Sequence, residues 1–196
     1  QHMLRRQRPD IIEAWYTKFD RVAGDVIQRL EQMPAKPQLL VVSDHGFAGF
    51  DHKVHINRWL EETGYLSTKP GAHGSLENVD WTQTQAYAVG LNSLYLNLKG
   101  REGQGSVPTA QIGDLLEKLQ GDLLAWKTPE GKAIFNRVQR SSEIHSGPYA
   151  ELAPDLILGF NRGFRASAET GLGKWKSASL EENHDHWRAD HCIDSE

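Results

Sequence analysis

Leu39-Leu40-Val41-Val42-Ser43-Asp44-His45-Gly46-Phe47 is the stretch on which the fold reading turns. Four consecutive branched apolar residues predict a strand buried on both faces, the pattern of a parallel sheet covered by helices. In open α/β sheets ligands bind beyond the carboxyl ends of such strands, which is where Asp44 and His45 fall. An Asp-His pair at that spot is suited to a metal ion. Equally, Asp44 suits a cap on the following segment and His45 a hydrogen bond inside the core. The pentapeptide from Ser43 to Phe47 leaves both readings open.

Upstream, Ile12, Trp15, Phe19, Val22, Val26, Ile27, Leu30 and Met33 recur every three or four positions. That spacing predicts an amphipathic helix over 9–33 with Trp15 on its core face. Pro9 suits the first turn, Asp10 and Glu13 complement the helix dipole, and Pro34 stops it. A helix therefore crosses over into the strand at 39–42, half of an α/β unit. Downstream the pattern predicts a helix over 56–63, with Trp59 and Leu60 inward and Gly64 just past its end. A polar, Gly-containing loop at 67–78 leads to strands at 86–89 and 94–98. After a Gly-punctuated loop at 100–108, Ile112, Leu115, Leu116, Leu119 and Leu123 mark a second amphipathic helix. Short strands are expected at 134–138 and 156–158. Residues 161–176 read as loop, and 182–191 lack periodicity but are dense in ligand-type side chains.

With 196 residues, 38% hydrophobic and 24% charged, the chain can build one sizeable core with a smaller lobe. No stretch approaches the roughly 18 consecutive apolar residues of a membrane-spanning helix. A formal net charge of -4 leaves no general basic footprint for nucleic acid. A phosphate-bearing substrate must then be gripped locally, by metal ions or a few Arg and Lys residues. The single cysteine, Cys192, rules out an intrachain disulfide framework. Six of the nine histidines fall in two short windows, His45, His52 and His55, then His184, His186 and His191.

Metal-type ligands stand in three separate places: His2, Asp44-His45 and Asp190-His191. A two-metal hydrolytic site, with its ions about 3.5–4 Å apart, must draw ligands from several segments, because one short loop cannot surround both. The ordered motifs resemble the alkaline phosphatase superfamily, in its type I phosphodiesterase and nucleotide pyrophosphatase branch. Gln1-His2-Met3 is similar to the end of that branch's Asp-x-x-x-His element. Ser43-Asp44-His45-Gly46-Phe47, Asn57-Arg58-Trp59-Leu60, Gly64-Tyr65-Leu66 and Tyr87-Ala88-Val89-Gly90-Leu91-Asn92 follow in order. Tyr95 to Glu102, Ala153-Pro154-Asp155-Leu156-Ile157 and the late Asp190-His191 complete the likeness, which covers nearly the whole chain.

The resemblance implies an α/β fold, an alkaline phosphatase-like sheet flanked by helices on both faces, with a cap-like insertion over about 67–151. It implies two Zn2+ ions, Asp44 and His45 being ligands of one and His2 and His191 of the other. It further implies hydrolysis of a phosphodiester or nucleotide pyrophosphate through a covalent phospho-enzyme, with a small-molecule phosphoester or nucleotide as substrate. The Thr or Ser nucleophile is expected upstream of Gln1. The chain opens and closes without a start or terminating element, so it is read as an internal piece, a partial catalytic domain whose compartment stays open. The isolated piece is accordingly expected to be inactive. Phosphoglycerate mutases, sulfatases and phosphonate hydrolases share the metal logic and stay open as alternatives, as does a non-catalytic module with an incomplete site. Ala189 stands where the family usually has Gly, which bears on the local backbone. Asp190 is expected to orient a ligand, His52 and His55 to be surface or packing residues, His184 and His186 to be solvated loop residues or neighbours of the ligands, and Arg5, Arg6 and Arg8 to form a solvated helix start in preference to facing a phosphate.

Overall fold

The computed structural model describes residues 2–191; Gln1 and Cys192 lie outside the described residues. In chain order the elements are α1 (Pro9–Glu31), β1 (Ala48–Val54), α2 (Ile56–Glu62), β2 (Ala86–Val89), β3 (Ser93–Leu96), α3 (Ile112–Ala125), β4 (Phe135–Arg140), α4 (Ser141–Ile144), β5 (Leu156–Phe160), β6 (Gly163–Ala166), α5 (Ala168–Gly171), β7 (Leu180–Glu182) and β8 (Ala189–Asp190). This is the expected mixed α/β class, with two sheets and flanking helices.

In the first sheet β1 is central, with β6 parallel on one side and β7 antiparallel on the other. The short β8 pairs antiparallel with the start of β1, Ala48 facing Asp190 and Gly49 facing Ala189. The second sheet runs β2-β3-β5-β4, all antiparallel. Alternate residues of its strands, Ala86, Ala88, Leu94, Leu96, Leu156, Leu158 and Phe160, point into one core. Leu116, Leu119 and Leu123 of α3 close that core at helical spacing. Both sheets share it, since Val54 of β1 and Phe164 of β6 belong to the same buried cluster. Asn57, fully buried on α2, donates to the Ala88 carbonyl (2.9 Å) and accepts from the Ala88 N–H (2.7 Å), pinning helix to strand.

Residues 39–42 do not form the predicted buried strand. They carry no regular structure, and Leu40, Val41 and Val42 are about four-fifths exposed (82%, 84% and 78%). A strand exists only where its N–H and C=O groups find a neighbour, and no strand runs beside 39–42 among the described residues. The first strand begins instead at Ala48. Helix α1 forms as predicted, yet it buries none of its residues, and Trp15, Phe19 and Val22 face solvent. Local periodicity dictates the helix; burial additionally requires a facing surface, and the described elements supply none. Trp15 touches Phe19 (ring centroids 6.1 Å) and the Lys18 ammonium (4.4 Å) rather than the core. Trp59 is buried as expected. The segment read as loop over 161–176 contains β6 and α5, and the aperiodic segment after it holds the end of β7 and all of β8.

Candidate metal centre

Because β8 docks on Ala48-Gly49, the residue after it, His191, arrives beside the segment that carries Asp44 and His45. The His45 and His191 rings lie 4.4 Å apart between centroids, tilted by 31°. The start of the chain meets them from the other side. The His2 carbonyl accepts from the N–H groups of Arg188 (3.0 Å) and Ala189 (3.1 Å), which extends the ladder around β8. The His2 ring stacks on Trp187 (3.8 Å) and meets Phe47 edge-on (4.8 Å), ending 6.4 Å from the His191 ring. Thus His2, His45 and His191, scattered in sequence, come into one neighbourhood. Asp44 adjoins it through its carboxylate, 3.3 Å from His45 Nε2, with its side chain largely in water.

Each imidazole has its Nδ1 against an oxygen. His2 Nδ1 donates to the Ala189 carbonyl (2.8 Å) and His45 Nδ1 to the Gly46 carbonyl (2.9 Å). His191 Nδ1 lies 2.7 Å from Oδ1 of Asp190. A carbonyl can only accept, so in the neutral rings of His2 and His45 Nδ1 carries the proton and Nε2 keeps its lone pair, which in His45 faces Asp44 at 3.3 Å. That is the tautomer in which histidines bind metals, with the second nitrogen held by a carbonyl or carboxylate. The donor chemistry therefore fits zinc. Convergence is another matter: among the described residues no three His, Cys, Asp or Glu side chains form a group that could already hold an ion.

Asp190 organises the site from beneath. It is buried, and it receives the His191 backbone N–H (2.8 Å) and the Trp187 indole N–H (3.0 Å). The Arg165 Nε sits 2.6 Å from Oδ2, the oxygen that also takes the Trp187 N–H, within ion-pair distance but not aligned as a hydrogen bond. Burial works against the charged carboxylate, yet these N–H donors and the charges of Arg165 and His191 outweigh it, holding Asp190 below the ordinary carboxylate range. Ala189 lies fully buried in extended backbone; among the described residues only Lys36 combines a side chain with positive φ, so no glycine is required there.

The other histidines stay away from this cluster. His55 is fully buried and its Nε2 lies 3.2 Å from Glu181, while His52 stacks on Phe164 (5.2 Å). His184 and His186 are exposed. Sequence reasoning missed Phe47 and Trp187, the aromatic walls of His2, and Arg165, the partner of Asp190. Phe47 stood inside the quoted pentapeptide, and Trp187 lies three residues before Asp190; Arg165 had no local signal, since only the pairing of β6 with β1 brings it near.

A family model for Type I phosphodiesterase / nucleotide pyrophosphatase matches residues 1–188. The chain belongs to that family. No curated protein and no solved structure matches it. Membership in the type I phosphodiesterase / nucleotide pyrophosphatase family implies a phosphodiester-type hydrolase and small-molecule phosphoester substrates. The matched span includes His2, Asp44 and His45 and stops short of Asp190 and His191, which the β1–β8 pairing brings to the same place. No helix among the described residues of this phosphodiesterase-family chain is long and apolar enough to cross a membrane.

Proposed function

We propose that the chain supplies four ligands to a two-zinc phosphohydrolase centre, Asp44 and His45 for one ion and His2 and His191 for the other. The observation that supports this reading is the convergence of His2, His45 and His191, with Nδ1 of His2 and His45 each bonded to a backbone carbonyl and the Asp44 carboxylate 3.3 Å from His45 Nε2. Zinc bound there supplies charge stabilisation to the attacking and leaving oxygens of a phosphoryl displacement. The chain's own residues do the positioning. Asp190 orients His191, the Ala189 carbonyl and Trp187 orient His2, and Gly46 orients His45. The substrate in this reading is a phosphodiester or nucleotide pyrophosphate, cleaved through a covalent phospho-enzyme on a Thr or Ser hydroxyl upstream of Gln1.

Two measurements test it. Zinc titration against a chromophoric chelator is expected to show weak binding by the 196 residues alone, weakened further in His45→Ala and His191→Ala. Affinity unchanged in both variants overturns the ligand assignment. Zinc-loaded protein from the full reading frame is expected to hydrolyse an aryl phosphodiester or a dinucleotide, and absence of turnover on both overturns the activity.

A further inference from the structure

Next to the histidine cluster, across the ring of Phe47, lies an open cleft of about 430 Å³ that the metal chemistry does not use. Its lining carries four cations, Arg5, Arg6, Lys132 and Arg162, and one carboxylate, Asp51. Arg6 grips Asp51 with both terminal nitrogens, so that carboxylate is already answered, its Oδ2 lying 3.1 Å from Nη2. The charges of Arg5, Lys132 and Arg162 therefore have no further carboxylate in the lining among the described residues. These cations come from three parts of the chain: the start, the turn before β4, and the turn into β6. On a chain of net charge -4, such a local concentration of one sign is not a product of composition.

The backbone is shaped to let the cations lie down in the cleft. A Cβ on Gly49 would sit 2.5 Å from Arg6 Nε. A Cβ on Gly163 would sit 3.0 Å from Lys132 Nζ and 3.5 Å from Asp51 Oδ2, and Gly163 has φ +92°. At Gly163 the positive φ favours glycine, whereas at Gly49 the atoms met belong to the movable end of Arg6. Arg5 rests with its guanidinium carbon 5.7 Å from the Phe47 ring centroid, and Lys132 Nζ lies 5.0 Å from that of Phe164, so aromatic faces hold both heads at the cleft. Phe47 is the common wall, since its other contact is the edge of His2 at 4.8 Å.

We propose that this cleft binds a phosphate dianion, and that on a bound substrate the dianion is a second, terminal phosphate remote from the ester being cleaved. Guanidinium forks match phosphate oxygens in pairs, and a lysine ammonium adds a compact charge. The anion site stands on the cleft alone; its role in substrate choice rests on the phosphodiesterase reading above. The substrate class so defined is a phosphodiester or pyrophosphate that carries an additional phosphomonoester, in preference to a plain diester.

Titration of chelator-treated, zinc-free protein with inorganic phosphate, followed by 31P NMR, tests the site without catalysis. Saturable binding is expected, weakened about tenfold or more in Lys132→Ala/Arg162→Ala and unchanged in Lys99→Ala, an exposed lysine elsewhere. Both substituted cleft residues are exposed, so loss of fold is not expected, and circular dichroism checks it. No saturable binding, or equal binding by the double variant, overturns the proposal. In zinc-loaded full-length protein, the double substitution is expected to raise KM for a phosphate-bearing diester about tenfold more than for the plain diester. Equal changes for the two esters, with phosphate binding still dependent on the cleft, overturn the substrate role in favour of free phosphate. Absence of turnover on either ester sinks the activity alone, and the phosphate titration still decides the site.

Discussion

Nδ1 of His191 lies 2.7 Å from Oδ1 of Asp190, with the aspartate buried and the histidine reaching toward solvent. The same oxygen accepts the His191 backbone N–H (2.8 Å), so the carboxylate fixes the position of His191 from its buried side. Asp190→Asn is expected to lower zinc affinity about 10- to 100-fold, as loss of such an orienting partner does. Asp190→Ala also leaves Arg165, with 13% of its side chain exposed, beside no counter-charge, for a stability loss of about 3–5 kcal/mol. Chelator competition and urea unfolding read the two effects separately. Undiminished zinc affinity in Asp190→Asn would show that the ring needs no such support.

Asn57 gives a purely structural prediction. Its amide answers both backbone groups of Ala88 in a site without water access. Asn57→Ala leaves a buried N–H and a buried C=O unpaired, each costing about 1–3 kcal/mol. Urea denaturation should show a lower midpoint with an unchanged slope; a wild-type midpoint would mean that α2 and β2 are joined by packing alone.

Acid should weaken the β1–β7 junction. Burial raises the Glu181 carboxyl, but Lys176, Lys53 and His55 more than compensate and bring it down to about 2. A depressed carboxylate contributes stability above its unfolded value near 4.5, and that contribution is lost as pH falls toward about 2. His55 is pushed below its ordinary 6.5, chiefly by burial, so the fold favours its neutral form and loses stability as the solution drops below that value. Both effects run the same way. Unfolding free energy measured against pH should decline from about 6.5 downward, and Glu181→Gln should flatten the part between about 4.5 and 2.

The apolar side of α1 and the exposed run at 39–42 should make the 196-residue chain adhesive. It is expected to bind an apolar fluorescent dye and to self-associate with rising concentration on size exclusion. Trp15→Gln/Phe19→Ser should reduce both signals. A monodisperse wild-type chain without dye binding would contradict it.

The sequence made some of this legible and hid the rest for identifiable reasons. Leu116, Leu119 and Leu123 announced α3 and its inner face, because periodicity and burial agree there. In α1 the same periodicity predicted the helix and not its surroundings, since spacing carries no information about what lies opposite. The run Leu39 to Val42 was misread for the same reason: hydrophobicity marks what a strand would need, while pairing decides whether it exists. β1 was invisible, because Asp51, His52 and Lys53 interrupt any alternation; Lys53 is accommodated by Glu181 (3.1 Å) and Asp185 (3.1 Å), partners over 120 residues away. In the candidate centre, His2, Asp44, His45 and His191 could be singled out by residue type and motif order. The supporting Trp187, Phe47 and Arg165 could not, because their roles exist only once β8 and β6 lie on β1.

The pairing of Ala48-Gly49 with Ala189-Asp190 is only two residues long, and it is the ruler that spaces His45 from His191. Side chains alternate faces along a strand, so a slip of one residue would not move His191 slightly; it would turn it to the opposite side. The separation of the two halves of the centre is therefore quantised. Damage to this ladder would abolish the geometry in one step, whereas damage to the aromatic walls would detune it by degrees.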